Sequence, residues 1–174
     1  NPQVWLNKAD MAALANGRYY FQTAEELGIF TNVYSLQKLA WLNYLSGNAE
    51  EAAALLARVA DRQEGQTKAI SLYYRGAILN RLGRTQEARE ALSAALSTRS
   101  DLTAAIEETG ESYWRSGNRE TAFNFWKDAA ERNPQSPMAN YMLAGAAGSF
   151  GRAAEATTYL ERARQDTPPD ALFY

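Results

Sequence analysis

Small and large apolar residues recur along this chain at helical spacing, and the helical pattern itself recurs. Ala88, Leu92 and Ala95 are separated by four and three residues, which puts them on one face of a helix. The same triplet returns as Ala122, Trp126 and Ala129, and again as Ala156, Leu160 and Ala163. Glycines keep the same step: Gly83, Gly117 and Gly151 lie 34 residues apart. Upstream of them small residues recur at Gly76, Gly110 and Ala144. Pro134 and Pro168 close two of the units, and Ser100 stands in that column of the other. An earlier copy supplies Ala40, Gly47, Ala52 and Leu56, with Val59 in place of the last alanine. Gly47 precedes Gly83 by 36 residues, so about two extra residues are expected near Gln66 to Lys68.

Each column has a physical reading. Small residues at Gly76 and Ala88 let two antiparallel helices approach, and Leu92 or Trp126 fills the remaining space. Burying one such side chain contributes about 1.5–3 kcal/mol. Gly83 ends the first helix of its pair where the chain must turn. Asn48 followed by Glu51 has the form of a capping box for a second helix. Proline stops the second helix. One hairpin cannot bury its apolar face alone, whereas stacked copies can.

The pattern resembles the tetratricopeptide repeat, a family of 34-residue helix pairs. The resemblance implies an all-α fold, a right-handed superhelix of stacked antiparallel helix pairs. In its register four units span 33–66, 69–102, 103–136 and 137–170. Arg75 and Thr109 stand where the family usually has leucine, and Asn140 where it has a large apolar residue. Residues 1–32 fit less closely. Trp5-Leu6, Met11 to Leu14 and Tyr19 to Phe21 suit two helices separated at Gly17, a degenerate pair or cap. Ala171 to Tyr174 open a further unit or a capping helix, so the sequence reads as a segment of a longer array.

Composition narrows the chemistry. The chain has no histidine and no cysteine. That removes Ser-His-Asp and Cys-His arrangements and thiolate metal sites. A net charge of −2 and scattered basic residues give no footprint for nucleic acid. No apolar run approaches the roughly 18 residues of a membrane span. The expectation is no enzyme, no cofactor and no metal. The partner is expected to be another protein or protein segment, with self-association through exposed array ends as a further option. A cysteine-free domain suits cytosol and bacterial periplasm alike, and 14 arginines against 4 lysines weakly suit a bacterial source.

The resemblance also implies where a partner would lie, because the first helices of such units line the concave face. By column, the exposed residues would be Tyr34, Gln37, Trp41 and Tyr44, then Ile70, Tyr73, Ala77 and Asn80. Ala104, Glu107, Glu111 and Trp114 follow, and Met138, Tyr141 and Gly145 complete the row. It is rich in the aromatics favoured at binding hot spots, although several of them could pack between units instead. Glu107, Glu108 and Glu111 form an acidic cluster, with Arg81 and Arg115 nearby. A basic or mixed-charge ligand would complement it, while a solvated face with charge pairs under about 1 kcal/mol is the plainer reading. Some family members clamp a C-terminal carboxylate with lysine and asparagine, but those columns hold Gln37, Trp41, Tyr74, Tyr73, Ala77 and Glu108. Two roles follow: a scaffold whose groove holds a partner segment, or a spacer arm of a larger bacterial envelope, secretion or polysaccharide-export assembly.

Overall fold

A computed structural model describes residues 8–28, 33–132, 134 and 137–165. All regular structure among them is helical, and the chain forms two compact units, residues 1–99 and 100–174. The first unit contains α1 (Lys8–Glu26), α2 (Val33–Leu45), α3 (Ala49–Asp61), α4 (Gly65–Arg81) and α5 (Thr85–Thr98). The second contains α6 (Thr103–Arg115), α7 (Arg119–Arg132), α8 (Pro137–Ser149) and α9 (Ala153–Gln165). Within each unit every helix packs on the next in sequence, and α6 also touches α8.

The turns inside the hairpins α2–α3, α4–α5, α6–α7 and α8–α9 share one construction. Gly83 adopts φ +77°, a left-handed conformation that side chains resist. Its N–H donates to the Asn80 carbonyl at 3.1 Å, and the Arg84 N–H donates to Leu79 at 2.9 Å. These two bonds satisfy carbonyls that the helix end would leave open. The Arg84 carbonyl then accepts from the Ala88 N–H at 3.0 Å, which starts α5. One residue therefore closes one helix and opens the next. The same three bonds recur around Gly47, Gly117 and Gly151.

The cores follow the columns. Ala88, Leu92 and Ala95 are buried, as are Ala122, Trp126 and Ala129. Val59 is fully buried and fills the alanine column without disturbance. The small-residue column works as a socket: a Cβ on Gly76 would meet Leu92 Cγ at 2.6 Å, and a Cβ on Gly110 would overlap the Trp126 indole. The polar departures are accommodated by hydrogen bonds. Buried Thr109 donates its hydroxyl to the Ala105 carbonyl at 2.6 Å, one turn back. Buried Asn140 donates Nδ2 to the Pro134 carbonyl at 3.2 Å, tying α8 to the segment before it. Pro137 opens α8, where a missing N–H is harmless.

Three local expectations change. Gly17 does not separate two helices: α1 runs through it, and a Cβ there would meet only Leu42 of α2, at an ordinary 3.6 Å. The extra residues at Gln66 to Lys68 lie in the start of α4, which is 17 residues long, so the boundary expected at 66/69 falls inside a helix. The capping box at Asn48 and Glu51 does not form, since Asn48 makes no side-chain cap bond. Arg18 of α1 draws both residues away. It pairs with Glu51 at 3.2 Å and faces the Asn48 amide, whose oxygen accepts from it once the amide is turned. Residues 171–174 and the helix residues expected within 1–7 lie outside the described residues.

Exposed arginines mark the turns. Arg84 bonds Glu50 at the start of α3 and Glu87 on its own hairpin. Arg152 reaches Glu120 at the start of α7, 3.1 Å away. Exposed pairs of this kind add little stability but favour one register of neighbouring hairpins.

Candidate functional site

Two cavities open between first helices of neighbouring hairpins, one in each unit. The cavity of the first unit, about 310 Å³, is lined by Gln37, Lys38, Ala40, Trp41, Leu56, Tyr74 and Ile78. The cavity of the second unit, about 400 Å³, is lined among others by Glu111, Trp114, Trp126, Tyr141, Met142 and Leu160. They are equivalent in the repeat. Trp41, Leu56, Tyr74 and Ile78 occupy the columns that Glu111, Trp126, Met142 and Ala146 occupy in the second unit. Each has a floor from the second helix of one pair and walls from two successive first helices. Small residues at Ala40 and at Gly110 and Ala144 let the floor residue come close.

In the first unit, α2 and α4 are clasped by a polar bond. Gln37 donates Nε2 to Ser71 Oγ at 2.8 Å, and the fully buried Ser71 donates in turn to the Thr67 carbonyl at 3.0 Å. Beside this clasp Trp41 is 51% exposed and stacks at 5.6 Å on Tyr44, whose ring packs against the core. Tyr74, 41% exposed, faces the same cavity, with the half-buried Tyr73 ring 5.1 Å away.

The second unit is denser in aromatics. Trp114 lies 6.1 Å from Trp126 and 5.8 Å from Phe150, and the Arg119 guanidinium sits over it at 5.2 Å. Tyr141 is 61% exposed. The Trp126 Nε1–H is buried and has no acceptor among the described residues. Three carboxylates follow one another on α6. Arg115 bonds Glu108 at 3.1 Å and Glu111 at 3.4 Å. Glu107 has neither of these contacts, and its carboxyl is held above the usual carboxylate range by partial burial first, then by Glu111 and Glu108.

The sequence-derived row is thus partly assembled. Gln37 and Trp41 share one cavity, and Glu111, Trp114, Tyr141 and Gly145 share the other. Tyr44, Tyr73, Asn80 and Glu107 are half-buried and line neither. Ala77 is buried, which corrects the expectation that it faces solvent: it lies against the packed core of its unit. The side chain of Tyr34 lies outside the described residues. Lys38, Trp126, Met142 and Leu160 line the cavities without being assigned to a site by the sequence, and Tyr74 enters the sequence reading only as a clamp column. The floor column reads as core in the sequence, yet Leu160 is 44% exposed. Tyr74 could have been found from its place one residue after Tyr73, in the column of Lys38, Glu108 and Met142.

Among the described residues no group of side chains could hold a metal ion, and no helix is long and apolar enough to cross a membrane.

Helix pairs locked by a glycine turn and a small-into-large socket define a helical-repeat protein. The family model described as Tetratricopeptide repeat matches residues 38–105 and 108–171, more than half of the chain, and the chain belongs to that family. Solved structures share the fold. "Crystal structure of MamA" is 20% identical with a TM-score of 0.68, covering 95% of this chain and 94% of that one. YrrB, described as "a TPR protein with an unusual peptide-binding site", is 17% identical with a TM-score of 0.62, covering 94% and 83%. The C-terminal part of a TPR repeat-containing protein from Cytophaga hutchinsonii is 16% identical with a TM-score of 0.71, covering 90% and 60%. No curated protein matches the sequence.

Proposed function

We propose that this chain is a protein-interaction scaffold that holds a segment of a partner protein against its first-helix surfaces. The repeats that present these surfaces are taken in the register 33–66, 69–102, 103–136 and 137–170, with residues 65–68 belonging to the first helix of the second repeat. The carrying observation is the pair of register-equivalent cavities, each walled by an aromatic ring more than half exposed, Trp41 in one and Tyr141 in the other. Large aromatics left open to water beside a preformed cavity are the anchors that binding surfaces use, because they bury much area at little entropic loss. The peptide-binding site named for YrrB supports the same use of the fold. Catalysis is not part of this reading: the carboxylates at hand share a helix face and have no histidine or cysteine to work with.

Selection of peptides from a random display library tests it. Trp41→Ala combined with Tyr141→Ala should weaken the selected peptides by about tenfold or more, the scale of two modest hot spots, with helicity and thermal midpoint retained. Unchanged binding in that double variant counts against the cavities. If the folded protein selects no peptide at all, the interaction reading gives way to a spacer role.

A further inference from the structure

We infer that the outer face of α8 and α9 is a docking site for the chain's own residues 171–174, with Phe173 packed on Tyr141 beside Leu160. Residues 171–174 lie outside the described residues, and three features of the described ones leave a place for them. The first is a bare face. Leu56, Leu92 and Trp126 share one column and are at most 2% exposed, whereas Leu160 in that column is 44% exposed. Ala52, Ala88 and Ala122 are fully buried, and Ala156 in their column is only half-buried. Within the units α4 packs on α3 and α8 on α7, and no described helix follows α9. An apolar column that is covered in every other hairpin gains by being covered here too.

The second feature is a half-built cavity. Gln37, Lys38, Ala40, Trp41 and Leu56 of the first cavity are matched, column by column, by Tyr141, Met142, Ala144, Gly145 and Leu160, and all five line the second cavity. The second cavity therefore continues past α8 into another copy of the same site. The two lining residues without a match, Tyr74 and Ile78, belong in the first unit to α4, the first helix of the following repeat. A further first helix is the missing wall, and Ala171 stands in the column of Pro137, which opens α8.

The third feature names the contact. Gln37 of α2 donates to Ser71 of α4 at 2.8 Å, so these two columns face each other across successive first helices. Along the repeat, the Gln37 column continues through Tyr73 and Glu107 to Tyr141. The Ser71 column continues through the buried Ala105 and Ala139 to Phe173. A polar clasp in the first unit is matched by two aromatic residues, and Tyr141 has a ring 61% exposed to receive the other. Tyr174 stands in the column of Leu36, Leu72 and Asn140, all buried. Tyr141 is then shared: a partner segment anchored on it has to displace Phe173.

The chain has no cysteine, so Leu160→Cys introduces its only thiol, and the rate of reaction with Ellman's reagent reads how well the face is covered. In the 174-residue chain, Phe173→Ser should speed that reaction about tenfold, the scale on which one apolar side chain shifts a docking equilibrium. Phe173→Leu should leave it near the original rate. Tyr141→Ala should speed it as Phe173→Ser does, and the two together should add little, as partners in one contact do. Ala154→Cys, on the exposed side of α9, is the control thiol and should react at one rate in every background. An unchanged rate at position 160 in Phe173→Ser overturns the inference. So does equal acceleration of both thiols, which reports a loosened hairpin. Protection that grows with protein concentration assigns the face to a second copy of the chain and overturns it as well.

Discussion

The indole of Trp126 lies directly on Gly110, so closely that a single methyl group on that glycine would overlap the ring. The contact joins α7 to α6 and sets how near the two helices come. It also places Trp126 as the floor of the cavity in the second unit.

Gly110→Ala is expected to destabilise the protein by about 1–3 kcal/mol, the range for overpacking a filled core. Helix propensity alone would have favoured alanine by up to about 1 kcal/mol. Gly148 supplies the control, since a Cβ there meets nothing within 4 Å. Gly148→Ala should stabilise by roughly 0.5–1 kcal/mol. Denaturant titration of the two variants should therefore move the midpoint in opposite directions.

At Gly117 the constraint is the backbone, with φ +84° and open space around a would-be Cβ. Gly117→Ala should lose about 1–2 kcal/mol through the left-handed conformation. Gly117→Asn should lose less, because asparagine tolerates that region. Thermal midpoints read by circular dichroism check the order Gly, Asn, Ala.

Glu107 should shape the pH dependence of stability. Its folded carboxyl holds its proton more tightly than the unfolded one, by burial first and then by Glu111 and Glu108. Between the ordinary glutamate value and its raised folded value, the native state binds more proton than the unfolded state. Stability therefore falls as pH rises through that window, and the charged group is a burden above it. Glu107→Gln should raise stability at pH 7, by under about 1 kcal/mol at so solvated a position. The advantage should vanish on acidification past the ordinary carboxylate range. A variant less stable than wild type at pH 7 would refute this account.

The columns that form a carboxylate clamp in some tetratricopeptide proteins carry no lysine here, holding Gln37, Trp41, Tyr74, Tyr73, Ala77 and Glu108. Gln37 is committed to Ser71, and Ala77 is buried. Calorimetric titration with a short peptide ending in acidic residues and a free carboxylate should show no saturable binding. Saturation at micromolar concentration would contradict it.

The repeat itself was legible in the chain because helix hairpins are local objects. Glycine at Gly83, alanine at Ala88 and leucine at Leu92 act over a few residues, through backbone conformation and helical periodicity, and a sequence records both directly. That determined the all-α fold, the place of the hairpin turns, and the socket between Gly110 and Trp126. Other features were decided only by contacts between segments distant in sequence. Arg18 engages Glu51 from 33 residues away and faces Asn48 as well, and no local window contains that competition. Gly17 stays helical because α1 packs on α2 and needs no break there. The cavities are also tertiary. A column reading separates exposed from core positions, yet each cavity is walled by both, because its floor comes from one hairpin and its far wall from the next. That is why Leu160 stands in a core column and is still exposed, and why Glu111 and Tyr141 come to one cavity only once the helices are stacked.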